Sequence, residues 1–186
     1  MISMISAPPL RFRVLALVAT VLSGLAAATC ADAQVVAIGA SNTAGRGHGH
    51  HTGGVDAAEA YPAQLEKLLH ARGMNVTVKN VGIAGDTSAG MAARLDSVIE
   101  PGTRVVIIQP GSNDALRGGS LLDARRNVDE MSRRLKSRGI RVIVLNGMRS
   151  SVPPTTWDAD GEHVNARAHA MIAARLLPQV MAALKR

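Results

Sequence analysis

Apolar positions follow two rhythms along this chain, and their alternation predicts the architecture. The unbroken runs Val35-Val36-Ala37-Ile38 and Val105-Val106-Ile107-Ile108 read as strands buried on both faces. The β-branched, alternating stretch from Asn75 to Ile83 and the run from Ile140 to Asn146 supply two more. Between these runs, apolar residues recur in steps of three and four, which is the helical period: Tyr61, Leu65, Leu68 and Leu69; Met91, Leu95, Val98 and Ile99; Leu121, Ala124, Val128, Met131 and Leu135. Asp56, Thr87 or Ser88, and Ser120 with Asp123 at capping-box spacing are the expected helix starts, and Gly73, Pro101-Gly102 and Gly139 the expected stops. Pro62 is tolerable only in a first turn, and a last helix from about Asn165 is expected to bend or break near Pro178. Strands that alternate with helices and are apolar throughout predict a parallel sheet covered on both faces, with the working residues in loops at the carboxyl ends of strands.

The chain has 186 residues, enough for one domain with a core of its own. Arg11 and Arg13 precede an apolar run from Val14 to Ala28, and Ala31-Asp32-Ala33 has the small-x-small form of a cleavage site. The expectation is a signal peptide over 1–33, cleavage after Ala33, a domain over 34–186, and a periplasmic or secreted location. A membrane anchor is the alternative, although the run is shorter than the ~20 residues a spanning helix needs. Cys30 would be lost with the leader, leaving a domain without cysteine.

Charge adds little specificity. The formal net charge is +7, and Arg125, Arg126, Arg133, Arg134, Lys136 and Arg138 fall on one predicted helix. No aromatic interleaving or reader motif accompanies them, so a solvated helix face is expected, not a nucleic-acid site. Peripheral contact with an anionic envelope surface stays open. His48, His50 and His51 sit on a Gly-rich stretch from Thr43 to Gly54 that reads as a solvated loop bordering the substrate entrance. No carboxylate or cysteine set accompanies them for a metal.

Four short blocks carry the chemistry: Gly39-Ala40-Ser41-Asn42-Thr43, Gly82-Ile83-Ala84-Gly85-Asp86-Thr87, Gly111-Ser112-Asn113-Asp114 and Asp160-Gly161-Glu162-His163. A serine hydroxyl attacks only when a base takes its proton, and the base needs a third group to orient it. Ser41, His163 and Asp160 fill those roles, Asp160 being close enough in sequence to meet the imidazole within one turn. The anion formed on attack needs donors, for which the Ser41 and Gly85 backbone N–H groups and the Asn113 amide are candidates. Gly111 and Trp157 are expected to line the substrate pocket, Trp157 having a core plug as its equal alternative. His169 reads as an ordinary helix residue, and Asp86 and Asp114 as loop hydrogen-bonding groups.

These blocks resemble the SGNH hydrolases of the GDSL esterase and lipase superfamily, whose four functional residues are matched by Ser41, Gly85, Asn113 and His163. Asn80-Val-Gly-Ile-Ala-Gly-Asp-Thr87, Gly111-Ser-Asn-Asp-Ala-Leu-Arg-Gly118 and Glu59-Ala-Tyr-Pro-Ala63 look like the thioesterase, lysophospholipase and arylesterase branch. The resemblance implies a three-layer α/β/α, flavodoxin-like fold with four to five strands and no metal or organic cofactor. Two departures stand out. Ala40 and Asn42 occupy positions where the family usually has Asp and often Leu, which predicts altered packing of the first loop. Only 13 residues separate Asn146 from Asp160, too few for the usual helix and fifth strand, which predicts an open groove beside His163.

The function expected is therefore a serine esterase acting on a small-molecule ester through an acyl-enzyme on Ser41. Short-acyl aryl esters are favoured, with thioesters and lysophospholipids behind them, because the loop after Ala44 has few apolar groups to hold a long chain. A catalytically silent module binding acylated or anionic envelope material is the alternative from another class. A carbohydrate O-acetyl esterase is a third, disfavoured because Tyr61 and Trp157 are the sole aromatics after residue 33.

Overall fold

The computed structural model describes residues 33–46 and 53–185. The segment carrying His48, His50 and His51, and the leader up to Asp32, lie outside the described residues. Four parallel strands form one sheet: β1 (Ala33–Gly39), β2 (Val76–Asn80), β3 (Thr103–Gln109) and β4 (Arg141–Val144), in the order β2-β1-β3-β4. Ala33 pairs with Val76, so the expected cut would trim the first position of β1 and leave the pairs from Gln34 onward.

The period of two along β1 and β3 sorts their residues onto two cores. Val35, Ala37, Val105 and Ile107 pack against α2 (Tyr61–His70) and α6 (Ala166–Leu184), through Leu65, Leu69, Ile172, Leu176 and Val180. Val36, Ile38, Val106 and Ile108 pack against α3 (Ser88–Val98) and α5 (Leu121–Ser137), through Met91, Leu95, Val128, Met131 and Leu135. This makes three layers, and the unbroken apolar runs are explained by burial of both faces.

Several local expectations need correction. Asp56 does not cap α2: the N-cap is Ala60, with no side-chain bond, while the Asp56 carboxylate pairs with Arg46. Thr43 and Ala44 belong to a single helical turn, α1 (Ser41–Ala44), because both of their N–H groups donate to the Ala40 carbonyl, and a second single turn, α4 (Asn113–Leu116), follows β3. Leu121 is exposed, since the first turn of α5 borders an open groove with Pro110, Val144 and Asn146 and reaches no packed layer. Pro178 neither breaks α6 nor ends it. The ring is exposed, so the helix gives up one backbone bond on its solvent side while Leu176, Leu177 and Val180 stay buried. Thr87, Ser120 and Asn165 cap α3, α5 and α6 by accepting from Gly90, Asp123 and Ala168.

Between β4 and Asp160 there are two 3-10 turns, Arg149–Ser151 and Pro154–Thr156, and no strand. The order β2-β1-β3-β4 puts a topological switch between β1 and β3, and the crevice beyond their carboxyl ends is where such sheets bind ligands.

Candidate active site

Ser41 opens α1 directly after β1, and Ala40 offers no side chain to cap that turn. The turn is pinned from below. Buried Thr43 donates through Oγ1 to Gln109 Oε1 at 3.0 Å and shares a 3.3 Å hydrogen bond with the Tyr61 hydroxyl, while its carbonyl accepts from Asn80 Nδ2 at 2.8 Å. Strands β2 and β3 and helix α2 thus all hold the residue two places after Ser41. Ala40 is buried among the side chains of the α3 and α5 core. Its small apolar side chain turns the expected change of packing into a core contact.

Asp160 and His163 form a pair inside one closed turn. His163 Nδ1 lies 2.5 Å from Asp160 Oδ2, and Asp160 Oδ1 accepts from the backbone N–H groups of Glu162 and His163, both at 2.9 Å. Burial opposes charge on this carboxyl, but those hydrogen bonds together with the imidazole outweigh it and hold the acid well below the usual carboxylate range. The turn is closed by an antiparallel bridge between Trp157 and Val164 and by the Asp158 N–H donating to the His163 carbonyl at 2.8 Å. The His163 side chain is 3% exposed, so its ring has little freedom to leave this orientation.

Residues absent from the expected site tie the two halves together. Asn42 donates through Nδ2 to the Glu162 carbonyl and accepts at Oδ1 from Val164 N–H, each at 3.3 Å. It therefore grips the backbone on both sides of His163 from the position next to Ser41. Gly53 packs against the other side of the acid: a Cβ there would stand 2.3 Å from Asp160 Oδ2, so only glycine fits without moving the carboxylate. Gly54 N–H donates to Asp158 Oδ2 at 2.5 Å. A leucine at position 42 could make neither bond of Asn42.

The oxyanion candidates are distributed less simply. Asn113 lines the cavity beside Ser41 and spends one amide hydrogen on the Asp86 carbonyl at 2.8 Å, which leaves its other N–H for a ligand. Gly85, at φ +76°, sits in a shallow depression with Ile83, Ala84, Asp86, Thr87 and Arg117 and does not line the cavity of Ser41. The Asn113–Asp86 bond links its turn to that cavity. Asp86 pairs with Arg94 at 2.8 Å, and buried Asp114 accepts from Ser88 Oγ at 2.6 Å, as loop hydrogen-bonding groups would.

The cavity holds about 500 Å³ and is lined by Ser41 and Asn113 together with Gly111, Leu116, Arg149 and Trp157. Trp157 does both things open to it in the sequence: it lines this cavity and packs on the α2 and α6 core. Its Nε1 donates to the Arg149 carbonyl at 3.2 Å, and the Arg149 guanidinium lies over its ring at 4.4 Å. Arg149 and Trp157 wall the groove that the short connection was expected to leave open. Tyr61 is fully buried and cannot face a substrate.

His169 lies beneath the site. Its Nδ1 accepts from Tyr61 N–H at 3.0 Å, and its ring is stacked with the tyrosine at 6.4 Å between centroids. Burial, reinforced by the charge of His163, pushes its pKa down to about 4. No group of three histidines, cysteines or carboxylates suited to a metal occurs among the described residues.

Residues 37–180 match the GDSL-like lipase/acylhydrolase family. Esterase TesA of Pseudomonas aeruginosa is 36% identical over 93 residues, covering 50% of this chain and 46% of that protein. An arylesterase of Vibrio mimicus is 32% identical over 131 residues, 70% of this chain and 60% of that one. The match thus spans between about half and three-fifths of the curated relatives' length. Among solved structures, one of TesA superposes with a TM-score of 0.65 at 26% identity, covering 82% of this chain and 98% of that one. Esterase EstA from a Pseudoalteromonas species, at 17% identity and a TM-score of 0.67 over 83% of this chain and all of that one, shares the fold.

Proposed function

The chain belongs to the GDSL-like lipase/acylhydrolase family, and from that premise we propose that it is a serine ester hydrolase whose acyl-enzyme forms on Ser41. Ser41 Oγ attacks the ester carbonyl carbon while His163 takes the hydroxyl proton. The ring is oriented for this by the 2.5 Å contact of its Nδ1 with Asp160, which the lowered pKa keeps ionised at neutral pH. The tetrahedral oxyanion receives the Ser41 N–H and the second amide hydrogen of Asn113, the two candidates that line the cavity, whereas the Gly85 N–H stands outside it. Collapse breaks the ester C–O bond, and His163 returns its proton to the departing alcohol. Water then repeats the cycle on the acyl-serine. The observation that carries this reading is the Asp160–His163 pair held by Asn42 against the serine turn, beside a cavity at the switch point of the sheet.

The substrate we infer is a short-acyl ester, an aryl ester first, with thioesters and lysophospholipids in the same chemical range. A cavity of about 500 Å³ is at the small end for ligand pockets, and its lining mixes Leu116, Met148 and Trp157 with serine, asparagine and glycine. The arylesterase relative supports the aryl leaving group. A carbohydrate O-acetyl esterase has less support, because the one aromatic ring at the cavity already carries the Arg149 guanidinium on a face. Action outside the cytoplasm rests on the leader-like run at 14–28. Hydrolysis of p-nitrophenyl esters from acetate to palmitate tests the substrate reading: kcat/KM should peak at acetate or butyrate, and a maximum at the long chains would refute it.

A further inference from the structure

Five large apolar side chains are exposed among the described residues, and three of them lie on the segment 116–122 that borders the cavity: Leu116 at 69%, Leu121 at 75% and Leu122 at 58%, while Ile83 at 51% borders a separate depression. Leu116 lines the cavity itself. Leu121 lines a groove that shares Pro110 and Gly111 with it, and Ile83 shares its depression with Arg117. From Ala115 to Asp123 nine consecutive residues are exposed, with no packing role to explain three leucines there. Apolar side chains scattered over a surface need no explanation, but a cluster at a site entrance does.

The charges around the cluster identify what it meets. Arg117 and Arg125 are exposed and make no ion pair among the described residues, whereas Arg126 pairs with Asp123. Further along α5, Arg133 pairs with Glu130, and Arg134 and Arg138 both pair with Asp96. Asp129 lies one turn deeper along α5 than Arg125. The other arginines of α5 and its C-terminal end are thus neutralised within the protein, while Arg117 and Arg125 stand unpaired beside the exposed leucines. Apolar side chains flanked by unpaired arginines are the combination that binds an anionic lipid surface, the leucines entering the boundary region and the arginines meeting headgroup phosphates.

We infer that Leu116, Leu121 and Leu122, with Arg117 and Arg125, form a docking surface for an anionic lipid bilayer, which brings the mouth of the Ser41 cavity to the membrane interface. Such docking would occur whether or not Ser41 acts as a nucleophile. The contact is peripheral, made by side chains at the surface of the domain, and no described helix is long and apolar enough to cross a membrane. Ester substrates partitioned into the bilayer would then reach the cavity without crossing bulk water.

Flotation with unilamellar vesicles tests it. The full chain is expressed and purified in the processed form the cell yields, with its N-terminus read by mass spectrometry. Phosphatidylcholine vesicles control for any retained apolar leader, and vesicles of phosphatidylcholine with phosphatidylglycerol are the probe. The protein should float with the anionic vesicles at low salt and far less with the neutral ones. Leu121→Ser/Leu122→Ser should weaken that binding by more than about tenfold, and Arg117→Gln/Arg125→Gln by about thirtyfold, with circular dichroism of both unchanged. Equal binding to both vesicle types, or undiminished binding by both variants, would overturn the inference. So would a dimer at sedimentation equilibrium that the leucine substitutions abolish, with no vesicle binding, because the cluster would then be a self-association face.

Discussion

Asn42 and Val164 stand 122 positions apart in the chain and meet through a 3.3 Å hydrogen bond that fixes where the base stands relative to the nucleophile. The same side chain holds the Glu162 carbonyl, so His163 is gripped on both flanks by the neighbour of Ser41. Among the described residues no sheet hydrogen bond does this job, because no fifth strand precedes the acid-base turn.

Replacing Asn42 by Ala or Leu should therefore damage the chemical step more than binding. A displacement of the base by about 1 Å costs on the order of a hundredfold in rate, while two long hydrogen bonds contribute about 1 kcal/mol to stability. The expected outcome is kcat down by between about tenfold and a hundredfold with KM nearly unchanged. Steady-state kinetics on p-nitrophenyl butyrate, beside a urea melt, would show it. A proportional loss of kcat and of folded protein would mean Asn42 only stabilises.

His169 predicts acid sensitivity. Its folded pKa of about 4 lies below the ordinary histidine value, so the unfolded chain binds the extra proton first as pH falls. Stability should decline from about pH 6.5 to pH 4 by about 3 kcal/mol from this group. Asp160, whose folded pKa is also lowered, adds a further loss below about pH 4. His169→Asn, whose Oδ1 can accept the Tyr61 N–H in place of Nδ1, should flatten the upper window and leave the lower one. Urea denaturation at stepped pH measures both.

The oxyanion assignment makes a separate demand. Asn113→Ala should lower kcat by about two to three powers of ten with a small change in KM. Loss of the Asp86 carbonyl bond alone would appear as lower thermal stability without that rate effect.

Pro178 offers a gain. It is exposed inside α6, with Ala174 one turn before it, so Pro178→Ala restores a backbone bond at little packing cost. We expect stabilisation of about 1–3 kcal/mol, read by calorimetry or denaturant melts.

Much of this was legible in the residues. The apolar runs at 35–38 and 105–108 announce strands covered on both faces, and the two cores on either side of them are the consequence. Ser41, Asn113, Asp160 and His163 stand out as candidates through the joint order of four short blocks, and the structure puts Ser41 and Asn113 on one cavity and Asp160 against His163. What could not be read was whatever depends on distant partners. Leu121 keeps the helical period and still faces solvent, since periodicity does not say how far a layer extends. Asp56 looks like a cap and serves Arg46, a pairing decided by the fold. Asn42 and Gly53 gain their meaning from contacts with the turn at 158–164, which no local pattern encodes.

The most direct test of the central claim is covalent capture of the nucleophile. The protein is treated with a p-nitrophenyl phosphonate ester, and intact mass and peptide mapping follow for wild type, Ser41→Ala and His163→Ala. Stoichiometric addition of one phosphonyl group on the peptide containing Ser41, absent in Ser41→Ala and slower by at least about three powers of ten in His163→Ala, is the predicted result. Labelling elsewhere, or none in a folded wild type that still hydrolyses esters, would contradict it.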